Sequence, residues 1–134
     1  MTITWRRVKK LNEPDAISAF EERYGFLIPN ALKECISKNN GGRPNPKVFT
    51  TNSGAEYEVK ALLSYNAEDV ESIYKVIDFF IKEYGTSMLP FAEDSGGNYY
   101  CVKEGKIVFW TQDMEVYPIC DTFSDFIKLL EAGQ

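Results

Sequence analysis

Histidine is absent from this chain, and no other single absence excludes as much. Without imidazole there is no general base that titrates near neutral pH, and no usual partner to activate a serine or cysteine nucleophile. Histidine-containing zinc sites are excluded as well. Cysteine is scarce: Cys35, Cys101 and Cys120 are odd in number and widely spaced, which fits neither a disulfide framework nor a CxxC site, and three thiolates do not complete an all-cysteine zinc site. No catalytic residue, metal ion or cofactor is therefore expected. Long apolar runs are also missing. None approaches the ~20 residues that span a bilayer, and MTITWRRVKKLNEPD has neither the apolar segment nor the small-residue cleavage site of a secretory signal. A cytoplasmic protein with no membrane partner is expected. There is no repeat, low-complexity tract or dividing linker, so residues 1–134 read as one domain.

What the chain does have is acid. Its net charge is −5, yet Arg6, Arg7, Lys9 and Lys10 place four cations in the first ten residues, which leaves −9 on the rest. An acidic body repels phosphate backbones, so nucleic acid is not an expected partner. The same field attracts a basic protein and speeds its association. The basic lead is too short for a nucleic-acid or membrane arm, and Thr2 rules out N-myristoylation. It reads instead as an extended segment whose Trp5 packs on the body.

Helix and strand signals alternate along the chain. Asn12-Glu13-Pro14-Asp15 predicts a helix start with Asn12 as N-cap, Ile17, Phe20 and Tyr24 recur at helical spacing, and Gly25 supplies the stop. A second helix from Pro29-Asn30 puts Leu32, Cys35 and Ile36 on one face and ends at Asn39-Asn40-Gly41-Gly42. Arg43-Pro44-Asn45-Pro46 reads as loop. Residues 47–51 and 56–63 predict a hairpin around Asn52-Ser53-Gly54. The longest helical pattern runs from Val70 through Ile73, Tyr74, Ile77, Phe80 and Ile81 to Tyr84, closed by Gly85. Strands near 98–103 and 106–112 flank the two-residue turn Glu104-Gly105, which would pair Val102 with Ile107, Tyr100 with Phe109, Cys101 with Val108 and Tyr99 with Trp110. Both faces of that hairpin are apolar, so helices cover both or one presents an aromatic surface. A last helix, capped by Asp121 or Thr122, carries Phe123, Phe126, Ile127 and Leu130 on one side.

The segment PFAEDSGGNYY, residues 90–100, is the place where chemistry could reside. As a pair of catalytic carboxylates, Glu93 and Asp94 would need to face one cleft, but neighbours in a strand point to opposite faces. A cation site from Asp94, Asn98 and Asp113 has oxygen donors but no recognised loop spacing. A structural turn accounts for the residue types better: Asp94 accepts backbone N–H groups, Gly96 and Gly97 permit positive φ, and Asn98 joins turn to strand.

Four stretches in order resemble the SUKH superfamily, which includes the yeast cell-wall assembly regulators, Syd-like proteins and many bacterial immunity proteins. They are Glu21–Gly25 with Leu27-Ile28-Pro29, then Asn39–Gly42, then Leu89–Tyr100, and finally Ile119–Ile127. The resemblance implies an α+β fold, a mainly antiparallel sheet flanked by about four helices, and a non-enzymatic role. It suggests an immunity protein that neutralises a cognate toxin, often a nuclease, by direct binding. The alternatives are a regulatory or scaffold module for an endogenous cytoplasmic protein and, more remotely, a small carboxylate hydrolase. With a basic toxin domain as the partner, the candidate contact residues are Glu93, Asp94, Asp113 and Glu115 as charges, with Tyr99 and Trp110 as aromatic anchors.

Overall fold

The computed structural model describes residues 2–134; Met1, and with it the first residue of the expected domain, lies outside them. A five-stranded antiparallel sheet organises the molecule. Its strands are β5 (Ala61–Leu62), β6 (Met88–Glu93), β7 (Tyr99–Lys103), β8 (Lys106–Trp110) and β9 (Val116–Cys120), ordered as numbered. Two short ladders lie beside it: β1 (Thr4–Arg6) with β2 (Arg43–Asn45), and β3 (Val48–Thr50) with β4 (Glu56–Glu58). The helices are α1 (Ala16–Tyr24), α2 (Asn30–Asn39), α3 (Ile77–Tyr84) and α4 (Phe123–Glu131). This is the expected α+β fold with a mainly antiparallel sheet and four helices.

The β7–β8 hairpin has the predicted register at every pair. Glu104 and Gly105 both have positive φ, 52° and 81°, the primed turn whose twist suits a two-residue connection. Both faces of the hairpin are covered. On one, Tyr100, Val102, Ile107 and Phe109 join a large core with Leu89, Phe91, Phe20, Leu32 and Ile36, closed by Phe123, Phe126 and Leu130 from α4. On the other, α3 lays Phe80 over Met88, Cys101, Val108 and Trp110. Pro90 is accommodated within β6 because the register shifts between Pro90 and Ala92, the bulge that a missing N–H permits. At the far edge, β9 exposes Tyr117 and Pro118.

The quoted family stretches have physical tasks. The Glu21 carboxylate in α1 accepts the Ile28 N–H at 2.9 Å and pairs with Lys33 at 3.4 Å, fastening the α1–α2 connection. Asn40 is buried; its side-chain amide donates to the Lys9 carbonyl and the Ser64 hydroxyl, and its side-chain oxygen accepts the Tyr65 N–H. Asn66 holds the Lys10 carbonyl and the Asn12 N–H in the same way. The N-terminal segment is thus clamped to the body, and Trp5 packs against the core.

Several local expectations need correction. Asn12 does not cap α1, which starts after Asp15, because its backbone and side chain are engaged by Asn66 and Glu68. The residues read as loop, Arg43–Asn45, form β2: Pro44 sits opposite Trp5 in a two-stranded ladder, where an edge strand tolerates a missing donor. The stretch 56–63 divides, with β4 in the side ladder and β5 in the main sheet. The helix expected from Val70 begins only at Ile77, after a 3₁₀ turn at Ile73–Lys75. Here Ser64 and Ile73 compete with the helix: the Ser64 N–H donates to Glu71, the Ile73 N–H donates to Ser64, and the Ser72 hydroxyl accepts from Tyr74. Val70 is left 80% exposed.

Candidate functional site

Asp94 is consumed by its own turn. Its carboxylate accepts the N–H groups of Gly96 and Asn98 and the side-chain amide of Asn98, at 2.8–3.0 Å, while its N–H donates to the Asn98 carbonyl. Gly97 has φ 83°, and a Cβ there would run into the Gln112 amide. Asn98 accepts the Gln112 N–H and Gln112 donates back to the Gly96 carbonyl, so the 94–98 turn is tied to the loop that follows β8. Glu58 fastens the other side: its two oxygens accept the N–H and hydroxyl of Ser95 at 2.9 and 2.7 Å, and its carbonyl accepts the buried Tyr100 hydroxyl. Glu58 is 37 positions from Ser95, and no local pattern points to it.

Of the six candidate contact residues, Glu93, Tyr99 and Trp110 lie opposite one another across β6, β7 and β8, but not all six are exposed. Asp113 and Glu115 are exposed in the β8–β9 turn, whose backbone is closed by the Thr111–Glu115 and Met114–Thr111 bonds. Glu115 lies beside the exposed Tyr117 hydroxyl and raises its pKa. Glu93 is a correction: it lies opposite Tyr99, half-buried, with one carboxylate oxygen enclosed and without a protein partner. Burial raises its pKa, opposed by Lys60 and Arg43 and reinforced by Glu71 and Asp94, so it stands among charges of its own chain. Trp110 is a second correction. Only 6% of it is exposed; its indole N–H donates to Tyr84 at 2.9 Å, and Phe79 and Phe80 meet it edge-on. A side chain so enclosed does not anchor a partner without unfolding its cover. Tyr99 is half-buried against Phe80 and Trp110. The exposed aromatic of this region is Phe79, 41% accessible on α3.

Glu93 and Asp94 therefore share no cleft, and the described residues hold no group of three or more histidine, cysteine or acidic side chains placed for a metal ion. No helix is long and apolar enough to cross a membrane among the residues described.

A second acidic surface was not signalled by any motif. Between α1 and residues 66–78 lies a groove of about 560 Å³ whose lining includes Glu13, Asp15, Glu68 and Asp78 with Tyr24, Tyr65 and Tyr74. Arg23 is the cation on its wall, and its guanidinium stands 4.9 Å above the Tyr24 ring. The groove shows on its own residues how a tyrosine face can hold a cation.

An α+β domain with this sheet order, helix placement and glycine turn is a SUKH-type domain, and the chain belongs to the SMI1 / KNR4 family (SUKH-1), whose model matches residues 12–129. It is also similar to the SPbeta prophage-derived uncharacterized protein YokK of Bacillus subtilis (strain 168), with 26% identity over 152 aligned positions that cover 94% of this chain and 78% of that protein.

Proposed function

We propose that this protein acts by binding another protein, as an immunity-type module that occludes a basic toxin domain. Family membership supports the class, and the prophage-derived relative fits a toxin-immunity setting. The observation that carries the reading is the acidic, tyrosine-lined groove beside α1. Four carboxylates with Tyr24 and Tyr74, the two tyrosines of the lining that are not buried, suit arginine or lysine side chains of a partner. Each cation would be held by a ring and a carboxylate together, and Arg23 over Tyr24 already displays the ring half of that arrangement. Asp113 and Glu115, exposed on their turn, add long-range attraction that raises the association rate more than the affinity.

The test is binding to a basic toxin domain encoded beside this gene. Glu13→Lys with Asp15→Lys, both at exposed positions, should weaken the complex by at least about tenfold. Reversal at Asp113 and Glu115 should chiefly slow association at low salt. Unchanged affinity in the first variant would remove the groove from the interface. A gene neighbourhood without any toxin would favour an endogenous partner.

A further inference from the structure

The cations of this acidic chain are not evenly spread. Arg6, Arg7, Arg43, Lys47 and Lys60 line one basin of about 510 Å³ between the β1–β2 ladder and the 94–98 turn. The side-chain carboxylate on its wall, Glu58, accepts from Ser95 and keeps its charge there, and the Gln134 oxygen in the same lining accepts the Lys47 and Val48 N–H groups. Glu71 accepts from both Arg43 and Lys60, at 3.5 and 3.4 Å, and Glu93 lies near the same two cations. Those acids offset the inner pair. Arg6, Arg7 and Lys47 are exposed and have no carboxylate within ion-pair distance among the described residues.

Two features show that this is more than a chance accumulation. Arg6 lies directly opposite Arg43 in the β1–β2 register, so two guanidinium side chains leave the ladder on the same face, and only Arg43 has a carboxylate, Glu71, within ion-pair distance. Arg7 adopts φ 54°, the left-handed region that a residue with a Cβ rarely occupies. Like-charge apposition and backbone strain thus coincide in one concavity, as they do where a ligand supplies the compensation.

We infer that the basin is a binding site for a small oligophosphate, a ligand with at least two linked phosphate groups. Linked phosphates can meet Arg6, Arg7 and Lys47 at once, and they bring more charge than the at most two of a single phosphate to a lining that also holds Glu58. Arginine forks suit phosphate oxygens, and Lys47 adds a point charge. No aromatic ring lines the basin, so it offers no stacking platform for the successive bases of a single-stranded nucleic acid; the phosphates are what it reads.

Titration of the full chain with inorganic tripolyphosphate tests this, followed by calorimetry at low salt. Saturable 1:1 binding is expected. Arg6→Gln with Lys47→Gln, both on exposed side chains, should weaken it by at least about tenfold while leaving the thermal midpoint of the free protein unlowered. Absence of saturable binding at millimolar tripolyphosphate would overturn the inference, as would undiminished binding by the double variant. Single-stranded oligonucleotides binding more tightly, with affinity that grows with length, would also overturn it, because that behaviour marks a backbone track and not a bounded site. Toxin binding through the groove beside α1 is read in a separate assay, so either result stands without the other.

Discussion

Asp94 and Asn98 bond each other three times: backbone N–H to carbonyl, carboxylate to backbone N–H, and carboxylate to side-chain amide, all at 2.8–3.0 Å. The acid closes a turn, and the turn positions the β8–β9 loop through Gln112. Asp94→Ala should cost about 1.5–3 kcal/mol, the range for losing hydrogen bonds to a charged acceptor, read from urea unfolding. A residue reserved for partner contact would leave stability unchanged and weaken only the complex.

Glu93 should make stability fall as pH rises. Its folded-state pKa is raised above its ordinary value, first by burial, with Lys60 opposing. The folded state therefore holds the proton more tightly than the unfolded chain, and stability declines as pH climbs from the ordinary glutamate range through the higher folded value. Glu93→Gln should flatten that part of the profile and be the more stable protein at neutral pH. Denaturant midpoints across the acid range compare the two; a variant with the same slope as the parent would contradict the assignment.

The Glu104-Gly105 turn carries a local strain that substitution can relieve. Glu104 sits at φ 52°, where asparagine is favoured in a primed turn. Glu104→Asn should raise stability by about 0.5–1 kcal/mol without moving any pairing of β7 with β8, as amide chemical shifts along the hairpin would show.

The smaller core depends on Phe80, which touches Phe79, Tyr84, Tyr99 and Trp110 through aromatic contacts. Phe80→Ala should cost about 3–5 kcal/mol and expose Trp110, shifting its fluorescence to the red. A small loss with an unshifted spectrum would mean that α3 is not the cover of this face.

The thiols should be sluggish in the folded protein. Burial raises the pKa of Cys101 and Cys35, and pushes Cys120 up to about 11. Thiolate, not thiol, is the reactive form. Mass-resolved alkylation at neutral pH should modify Cys101 last and only on unfolding; rapid modification of Cys101 in the native state would show an opening of the β7–β8 face.

What could be read in the chain followed from short-range physics. The β7–β8 register depends on a two-residue turn and alternation, the Thr122 cap of α4 on a hydroxyl placed three residues before the Asp125 N–H, and the 94–98 turn on Asp and Gly chemistry within five residues. What escaped was set by distant partners. The helical pattern at Val70–Ile73 yields to Ser64, the loop at Arg43–Asn45 becomes a strand because residues 4–6 lie beside it, and Glu58 reaches the turn from another ladder. Burial also moved two candidates. Trp110 looked free until α3 was laid over it, and Glu93 looked acidic surface until Lys60 and Arg43 came near it. The groove beside α1 joins residues 12–24 to residues 65–78 and has no contiguous signature.

Pro118 has a consequence for company as well as for shape. The bond from the Thr111 N–H to the Glu115 carbonyl sets the phase of the β8–β9 ladder, so Phe109 and Tyr117 form the next bonded pair, and the backbone groups of Val116 and Pro118 point outward. At that outward position proline has no hydrogen to offer. A passing strand that tried to extend the sheet would meet a gap in the middle of a five-residue edge. Strand addition along the β9 edge is therefore disfavoured at its centre, although that edge lies in the open.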